Sequence, residues 1–305
     1  MNKHYGFNPG EIEQIINRFG QDFYAKVLRD IDAYADRWTL SSFQLIPSYS
    51  ANLVFRCCSE TYGSVVLKIG NDSFGGVVTE YHTLSEYNGR RFCRVFHADI
   101  ENNVILEEGV QPGTPLRDES SLDKRLSVFC SLYNGLHIAP AKAERYPTYT
   151  KWVNKITAYM SKRQDCKELY GHMNKAKEIC SSVAALYPQE MLLHGDFHHD
   201  NILLGNNGEY RIIDPKGVIG DPVFDVPRFI LNEFDDEKDS EAYKKINGII
   251  DILEGKLMIP NEVLRQCLYV ETAMGMCWSV EDGSTPEEYP GLLRDVAFAE
   301  SIMNA

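Results

Sequence analysis

The segment from Met191 to Asp214 constrains the fold more than any other stretch of this sequence. It opens with the apolar run MLL, continues through the polar stretch HGDFHHDN and ends in ILLGNNGEYRIID. Two apolar runs on either side of Asn207-Gly208 predict a β-hairpin, because Asn-Gly is strongly preferred in tight hairpin turns. On both sides of this segment apolar residues recur mostly at helical spacing. The sequence therefore predicts a helical region that is interrupted by one polar loop and one hairpin.

The first part of the chain has a different pattern. Residues 10–36 carry apolar residues at helical spacing, with a break near Gly20. The next stretch, FQLIPSYSANLVFRCCSETYGSVVLKIG, is rich in β-branched and aromatic residues and predicts three successive antiparallel strands. We expect a helix over 77–88 and two further strands near 93–97 and 103–107. This part is therefore predicted to be a small β-rich lobe.

Glycines and prolines mark the boundary between the two parts. The run EEGVQPGTPL contains two of each, which is typical of a linker. We predict an N-terminal lobe over residues 1–107, a hinge or linker over 108–113 and a C-terminal helical lobe over 114–305.

The charge and the termini exclude several classes of protein. A net charge of −13 makes a nucleic acid an unlikely partner, because that backbone is itself a polyanion. An acidic chain suits a cationic small molecule, although acidity also serves solubility alone. We see no secretory signal and no membrane-spanning run, so the expected location is the cytoplasm, with the eight cysteines reduced.

Two kinds of site compete to explain HGDFHHDN. Its histidines and aspartates are credible metal ligands, but a catalytic metal site needs further ligands, and the later sequence has no second cluster. Alternatively, the stretch is a catalytic loop. Asn201 follows Asp196 after five positions, and Asp214 ends the hairpin. This spacing is the layout of phosphoryl transfer, with an aspartate for the acceptor hydroxyl and Asn201 and Asp214 as oxygen ligands for Mg²⁺.

The same layout predicts further residues in the N-terminal lobe. It calls for a lysine on the third strand, and SVVLKIG supplies Lys68, where a lone charge is costly without a partner. Glu80 in the following helix is the preferred partner of that lysine. Glu86 is its competitor, but it falls late in the helix.

The remaining nucleotide contacts are predicted from position in the chain. The hinge candidates, whose backbone would bind an adenine, are Glu107, Glu108, Gly109 and Val110. The loop between the first two strands, PSYSAN, has no glycine. It still offers backbone and side-chain groups to phosphates from Ser48, Ser50 and Asn52.

The catalytic-loop candidate and the segment after it resemble a known family. LLHGDFHHDNIL followed by IIDPKGVIGDPVFDVPRF is similar to the aminoglycoside phosphotransferase superfamily. The run DPKGVIGDP resembles its streptomycin 6-phosphotransferase and hydroxyurea-resistance kinase branch. The resemblance implies an α+β, protein-kinase-like bilobal fold, with a small antiparallel β-sheet N-lobe and a larger, mainly helical C-lobe.

The resemblance also implies roles for individual residues. Asp196 would be the catalytic base, Asn201 and Asp214 the metal ligands, and Lys68 the residue that contacts ATP phosphates and pairs with Glu80. Asp221 and Asp225 would brace the C-terminal lobe. The cofactors implied are ATP, with GTP left open, and Mg²⁺.

The acceptor is the least defined part of the prediction. A small-molecule alcohol is expected: an aminoglycoside such as streptomycin, or a metabolite such as an amino alcohol or sugar. Four residues would suit a cationic acceptor, although a solvated acidic face explains the acidic ones equally well: Glu233, Asp235, Glu271 and Trp278. Two other classes stay open, a catalytically silent pseudokinase that only binds, and a metal-dependent hydrolase.

Overall fold

The computed structural model describes residues 4–49, 51–71 and 77–305. The chain forms two compact units. The first unit comprises Met1–Pro115 and Ile202–Asp214, and the second comprises Leu116–Asn201 and Pro215–Ala305. The chain thus leaves the first unit just after the predicted linker at 108–113.

The hairpin at 202–214 packs with the first unit, whereas the sequence prediction placed it in the C-terminal lobe. Long-range backbone pairing explains the difference. Leu204 pairs with Thr114, and the amide of Cys93 donates to the carbonyl of Ile212 over 2.9 Å. Neither contact leaves a local pattern in the sequence.

The first unit is built on an antiparallel sheet with two helices before it. Among the described residues the main sheet has five strands in the order β1-β2-β3-β5-β4. Three shorter strands, β6, β8 and β9, form a second sheet. The helices are α1 (Pro9–Phe19), α2 (Gln21–Trp38) and α3 (Val78–Tyr87). The strands are β1 (Leu40–Ile46), β2 (Asn52–Ser59), β3 (Gly63–Gly70), β4 (Val95–Asp99), β5 (Val104–Glu108), β6 (Thr114–Pro115), β8 (Ile202–Leu204) and β9 (Tyr210–Ile212).

The two faces of the main sheet have different roles, because side chains alternate along a strand. Odd-numbered residues of β3, such as Leu67 and Ile69, are buried in the core that the sheet forms with α1 and α2. Lys68 points to the opposite face. Glu107 is on that face too, because it lies opposite Val66 in the β3–β5 register.

The second unit is mainly helical, as predicted. Its helices are α4 (Leu122–Tyr133), α5 (Tyr149–Met160), α6 (Lys167–Leu186), α7 (Pro227–Leu231), α8 (Ser240–Leu257), α9 (Asn261–Glu281) and α10 (Tyr289–Met303). Helix α9 is buried around most of its circumference, since α5, α6, α7, α8 and α10 all contact it. The short strands β7 (Met191–Leu193) and β10 (Val218–Gly220) pair antiparallel. No helix within the described ranges is long and apolar enough to cross a membrane.

Candidate active site

Lys68 lies at the centre of a buried charge cluster in the first unit. Its side chain is 6% exposed and forms an ion pair with Glu80, from the first turn of α3. Its Nζ also lies 3.3 Å from Glu107 Oε2 and 3.1 Å from Asp214 Oδ1. The structure therefore brings three residues singled out in the sequence, Lys68, Glu80 and Asp214, into one cluster.

The charges in this cluster depend on one another. Burial alone would lower the pKa of Lys68, but the carboxylates of Glu107, Glu80 and Asp214 raise it well above its usual range. Burial, and then the neighbouring Glu107, raise the pKa of Glu80. Burial also raises the pKa of Glu107. The lysine therefore stays charged, and it is the cation that stabilises two buried glutamates.

The hinge candidates differ in whether their backbone amides already donate hydrogen bonds within the protein. The amide of Glu108 donates to the carbonyl of Arg94 over 2.8 Å, and that of Gly109 donates to the carbonyl of Ser64 over 3.0 Å. The side chain of Glu107 faces Lys68. Gly109 packs so closely that an added Cβ would lie 2.9 Å from the backbone of Ser64. The amides of Glu108 and Gly109 are thus already used in backbone hydrogen bonds.

The predicted phosphate loop is only partly described. Ser48 donates its amide to the carbonyl of Ile46 over 2.7 Å, and Asn52 begins β2. Within the described ranges, Asn52 Oδ1 is buried and makes no hydrogen bond. Ser50 lies outside the described residues.

The catalytic-loop candidate in the second unit follows β7 and is held by Asp225. This buried carboxylate accepts hydrogen bonds from the amides of His194 and Gly195, over 2.7 and 2.8 Å, and lies 3.0 Å from His137 Nε2. Gly195 has φ +79°, and an added Cβ would lie 2.8 Å from the ring of Trp152. A glycine is therefore needed at this position.

Asp196 follows directly and is surrounded by cationic side chains. His198 Nε2 lies 3.5 Å and Arg228 Nε 3.4 Å from its Oδ1, and Lys216 Nζ lies 3.9 Å from its Oδ2. Burial would raise the pKa of Asp196, but the hydrogen bond with His198 and the charges of Arg228 and Lys216 hold it well below its usual range. The carboxylate is thus ionised at every physiological pH.

Asn201 has an orientation that suits a metal ligand. Its Nδ2 donates to the backbone carbonyl of Asp196 over 2.9 Å and lies 3.3 Å from His198 Nε2. The amide nitrogen is thereby used, which leaves the Oδ1 atom as the group available to a cation. This amide oxygen, like the carboxylate oxygens of Asp214, is the donor type that Mg²⁺ prefers, so both residues stay predicted metal ligands. Mg²⁺ is usually held by one or two carboxylates, substrate phosphates and waters rather than by a protein cage.

The histidines of HGDFHHDN support the loop. Burial opposes protonation of His198, yet its hydrogen bonds to Asp196 and Asp200 raise its pKa. His194 Nδ1 accepts from the amide of Asp196 over 3.1 Å. His199 Nε2 lies 2.8 Å from Glu233 Oε1. Nowhere in the described ranges do three or more His, Cys, Asp or Glu side chains form a group that could hold a metal ion.

Glu233, one of the predicted acceptor contacts, is a buried carboxylate with several partners within the protein. It is 5% exposed and accepts two hydrogen bonds from Arg125, over 2.7 and 2.8 Å, besides its contact with His199. Lys245 Nζ lies 3.5 Å away. Asp235 is exposed and pairs with Lys245 over 2.9 Å. The carboxylate of Glu233 therefore already has cationic partners within the protein, and its contact with an acceptor stays a prediction.

We expect Glu233→Gln to lose stability in a pH-dependent way. Burial opposes ionisation, but His199 and Arg125 lower the pKa of Glu233 to about 2, below its value in the unfolded chain. Its ionised form therefore stabilises the fold above about pH 4–5, and this contribution is lost as the pH falls towards 2. A displacement of this size corresponds to about 3 kcal/mol at neutral pH.

Urea unfolding at a series of pH values measures the effect. The deficit of Glu233→Gln should be largest at pH 6–7 and should shrink below pH 4. Glu237→Gln, an exposed change in the same loop, should stay within about 0.5 kcal/mol of the parent. A deficit that does not depend on pH would contradict this account.

Glu271 and Trp278, the other predicted acceptor contacts, surround an arginine that the sequence reasoning missed. Arg228 Nη2 lies 2.5 Å from Glu271 Oε1, and the guanidinium lies 5.8 Å from the Trp278 ring centroid. The hydroxyl of Tyr149 donates to Glu271 Oε2 over 2.5 Å. Glu271 is only 2% exposed. The available signal was an arginine in the otherwise apolar run VPRFIL, where a buried charge needs an anionic partner.

The chain is similar to several known proteins. The sequence family described as aminoglycoside/hydroxyurea antibiotic resistance kinase matches residues 37–283. A streptomycin 6-kinase from Streptomyces griseus is 23% identical over 209 residues, which cover 66% of this chain and 66% of that protein. A hydroxyurea phosphotransferase from Kitasatospora aureofaciens is 26% identical over 230 residues, 72% of this chain and 62% of that protein. The chain thus aligns with just under two thirds of the length of these two relatives.

The fold has solved counterparts. The choline kinase LicA from Streptococcus pneumoniae has a TM-score of 0.67 at 15% sequence identity, covers 92% of this chain and 99% of its own, and is also known in complex with AMP. The predicted α+β, kinase-like fold is therefore confirmed. Because the family match extends over well more than half of the sequence, the chain belongs to the aminoglycoside/hydroxyurea antibiotic resistance kinase family.

Proposed function

We propose that this protein is an ATP- and Mg²⁺-dependent phosphotransferase that transfers the γ-phosphate to a hydroxyl group of a small molecule. The observation that carries the proposal is the buried cluster in which Lys68 pairs with Glu80 and contacts Asp214. Burying an ammonium and two carboxylates beside the half-buried Asp214 is costly, and such a cluster is expected where a polyphosphate and its metal ion must be bound.

The first unit supplies the nucleotide contacts in this proposal. The amide of Val110 and the carbonyl of Glu107 would bind the base, and Lys68, oriented by Glu80, would bind phosphate oxygens. Ser48 and Asn52 would contribute at the phosphate loop. The AMP complex of LicA supports a nucleotide site on this fold. ATP is the proposed donor, and GTP remains an alternative that the same experiment compares.

Asn201 and Asp214 would hold Mg²⁺, which, when bound, neutralises charge on the phosphates. Their side chains offer oxygen atoms, the donor type that Mg²⁺ prefers. Asp221 caps the short helix that contains Asp225, through the amide of Val223 over 3.1 Å. Asp225 in turn holds the loop that carries Asp196, so both aspartates have bracing roles.

Asp196 would accept a hydrogen bond from the acceptor hydroxyl. This bond would orient the hydroxyl oxygen towards the γ-phosphorus. In the reaction, the bond from the acceptor oxygen to the γ-phosphorus forms, and the bond from that phosphorus to the β–γ bridging oxygen breaks. ADP leaves, and the hydroxyl proton passes to Asp196 and then to solvent. A carboxylate with so low a pKa is a weak base, so orientation is its main contribution, and proton transfer is late.

The names of the relatives suggest which acceptors to test. Streptomycin, hydroxyurea and choline stand for a large cation, a small neutral molecule and an amino alcohol. Sugars extend the panel. A mass-spectrometric search for the phosphorylated product would identify the acceptor and the oxygen that is modified.

Nucleotide consumption measured across this panel, with ATP or GTP and with or without Mg²⁺, tests the proposal. We expect acceptor-dependent formation of ADP that requires Mg²⁺ and that stops on addition of EDTA. Tight nucleotide binding with no turnover on any acceptor would favour a pseudokinase. Hydrolysis that needs stoichiometric zinc or manganese would favour a metal-dependent hydrolase.

A further inference from the structure

The acceptor end of the proposed site is more cationic than its sequence suggested. Arg228 and His198 lie 3.4 and 3.5 Å from one oxygen of Asp196, and Lys216 lies 3.9 Å from the other. Both oxygens of the carboxylate therefore already have a positive neighbour. An acceptor that brings its hydroxyl to Asp196 must approach these same cations.

Arg228 is held in place by two residues of α9, which residues of α5 contact in turn. Glu271 of α9 binds its Nη2 over 2.5 Å, and Tyr149 of α5 binds the second oxygen of Glu271. Trp278 packs against the guanidinium, and Trp152 packs edge-on against Trp278 with ring centroids 5.7 Å apart. A planar guanidinium fixed by a carboxylate and a ring face cannot easily swing away from an incoming cation.

Three acidic groups of the second unit that could offset these cations already have partners within the protein. Glu271 forms an ion pair with Arg228 and accepts a hydrogen bond from Tyr149. Glu233 accepts a hydrogen bond from Arg125 and contacts His199. Asp200 accepts two hydrogen bonds of 2.7 Å from Arg117. An ammonium group bound beside Asp196 would therefore share that carboxylate with Arg228, Lys216 and His198.

We propose that Arg228 determines acceptor specificity: it selects alcohols that carry an uncharged or anionic group next to the reacting hydroxyl and rejects those that carry a cation there. The inference rests on the proposed function, since it concerns the same Asp196. Like charges held within a few ångströms in a partly buried site repel strongly, whereas an anion or a dipole gains from the guanidinium.

Three small alcohols that differ mainly in charge provide the test: glycolate, glycolamide and ethanolamine. Their binding to the protein, saturated with Mg²⁺ and ADP, is followed by tryptophan emission, because Trp152 and Trp278 adjoin the site. We expect glycolate and glycolamide to bind at least tenfold more tightly than ethanolamine. Wherever ADP formation from ATP is detectable, kcat/KM should follow the same order.

Variants assign this preference to Arg228. Arg228→Lys keeps the charge and should keep the order. Arg228→Met/Glu271→Gln removes the ion pair without leaving a lone buried carboxylate, and it should reduce the glycolate-to-ethanolamine ratio at least tenfold. Arg294→Met, an exposed change on α10, is the matched control and should change nothing.

Two outcomes would overturn the inference. One is ethanolamine binding as tightly as glycolate in the parent protein, and the other is an unchanged ratio in the double variant. Failure of the proposed function has a different signature. In that case no acceptor would yield ADP, while the order of binding and its dependence on Arg228 would remain measurable.

Discussion

Asp196→Asn is expected to lower turnover by roughly 10²–10⁴-fold while the protein still folds and binds ATP. The substitution keeps the size of the side chain but removes the negative charge that orients the acceptor hydroxyl and takes its proton. The Lys68 cluster in the first unit is not altered. The loss should therefore appear in kcat, and the dissociation constant for ATP should change little.

The measurement is acceptor-dependent formation of ADP, together with ATP binding by calorimetry and thermal unfolding on the same preparations. Removing Asp196 also leaves Arg228, Lys216 and His198 without their shared anion, so a modest fall in thermal stability is expected as well. Asp236→Asn, an exposed change in the second unit, is the matched control and should retain full activity. Turnover within tenfold of the parent in a folded Asp196→Asn would refute its catalytic role.

The fold class could be predicted because it depends on local patterns. Alternation along SVVLKIG and helical spacing in the later segments are visible within a few residues of each other. Pairing between distant segments leaves no such pattern. The β6–β8 pairing and the bond between Cys93 and Ile212 assign the hairpin at 202–214 to the first unit, and only the structure shows them.

Spacing in the chain singled out several residues of the candidate site, and their roles stay predictions. The sequence singled out Asp196 and Asn201 by their interval and Lys68 by its position on a strand. In the structure Asn201 donates to the carbonyl of Asp196, and Lys68 contacts Glu80 and Asp214. Glu107 was predicted only as a backbone contact, yet its side chain faces Lys68. The sequence gives no register between β3 and β5, so this contact could not be foreseen.

The acidic residues of the second unit show the limit of reasoning from charge. Glutamates in helical segments are mostly exposed, which favoured an acidic surface for a cationic acceptor. Instead Glu233 and Glu271 are buried against Arg125 and Arg228, which come from distant elements. Ion pairs of this kind depend on tertiary packing, so only the structure shows them.

Lys68→Met should weaken both nucleotide binding and folding, and a second substitution separates the two effects. The variant leaves Glu80 and Glu107 buried without their cation, which costs about 3–5 kcal/mol in unfolding experiments. It also removes the ammonium proposed to bind phosphate oxygens, so ATP affinity should fall by about tenfold or more. Adding Glu107→Gln removes one of the uncompensated carboxylates and should restore part of the stability. ATP affinity should remain low.

The pH dependence of Lys68→Met gives an independent check on the cluster. Without the ammonium, the two glutamates fold most readily in their protonated forms, so their folded pKa values lie above those of the unfolded chain. Stability is then present at low pH and lost as the pH rises. The deficit relative to the parent should accordingly grow from pH 5 to pH 8.

Lys26→Met, which removes a helical surface pair with Asp30, should cost less than about 1 kcal/mol at any pH and leave ATP binding intact. If the double variant recovered ATP affinity along with stability, Lys68 would be a structural residue, and the phosphates would have to be bound by other groups.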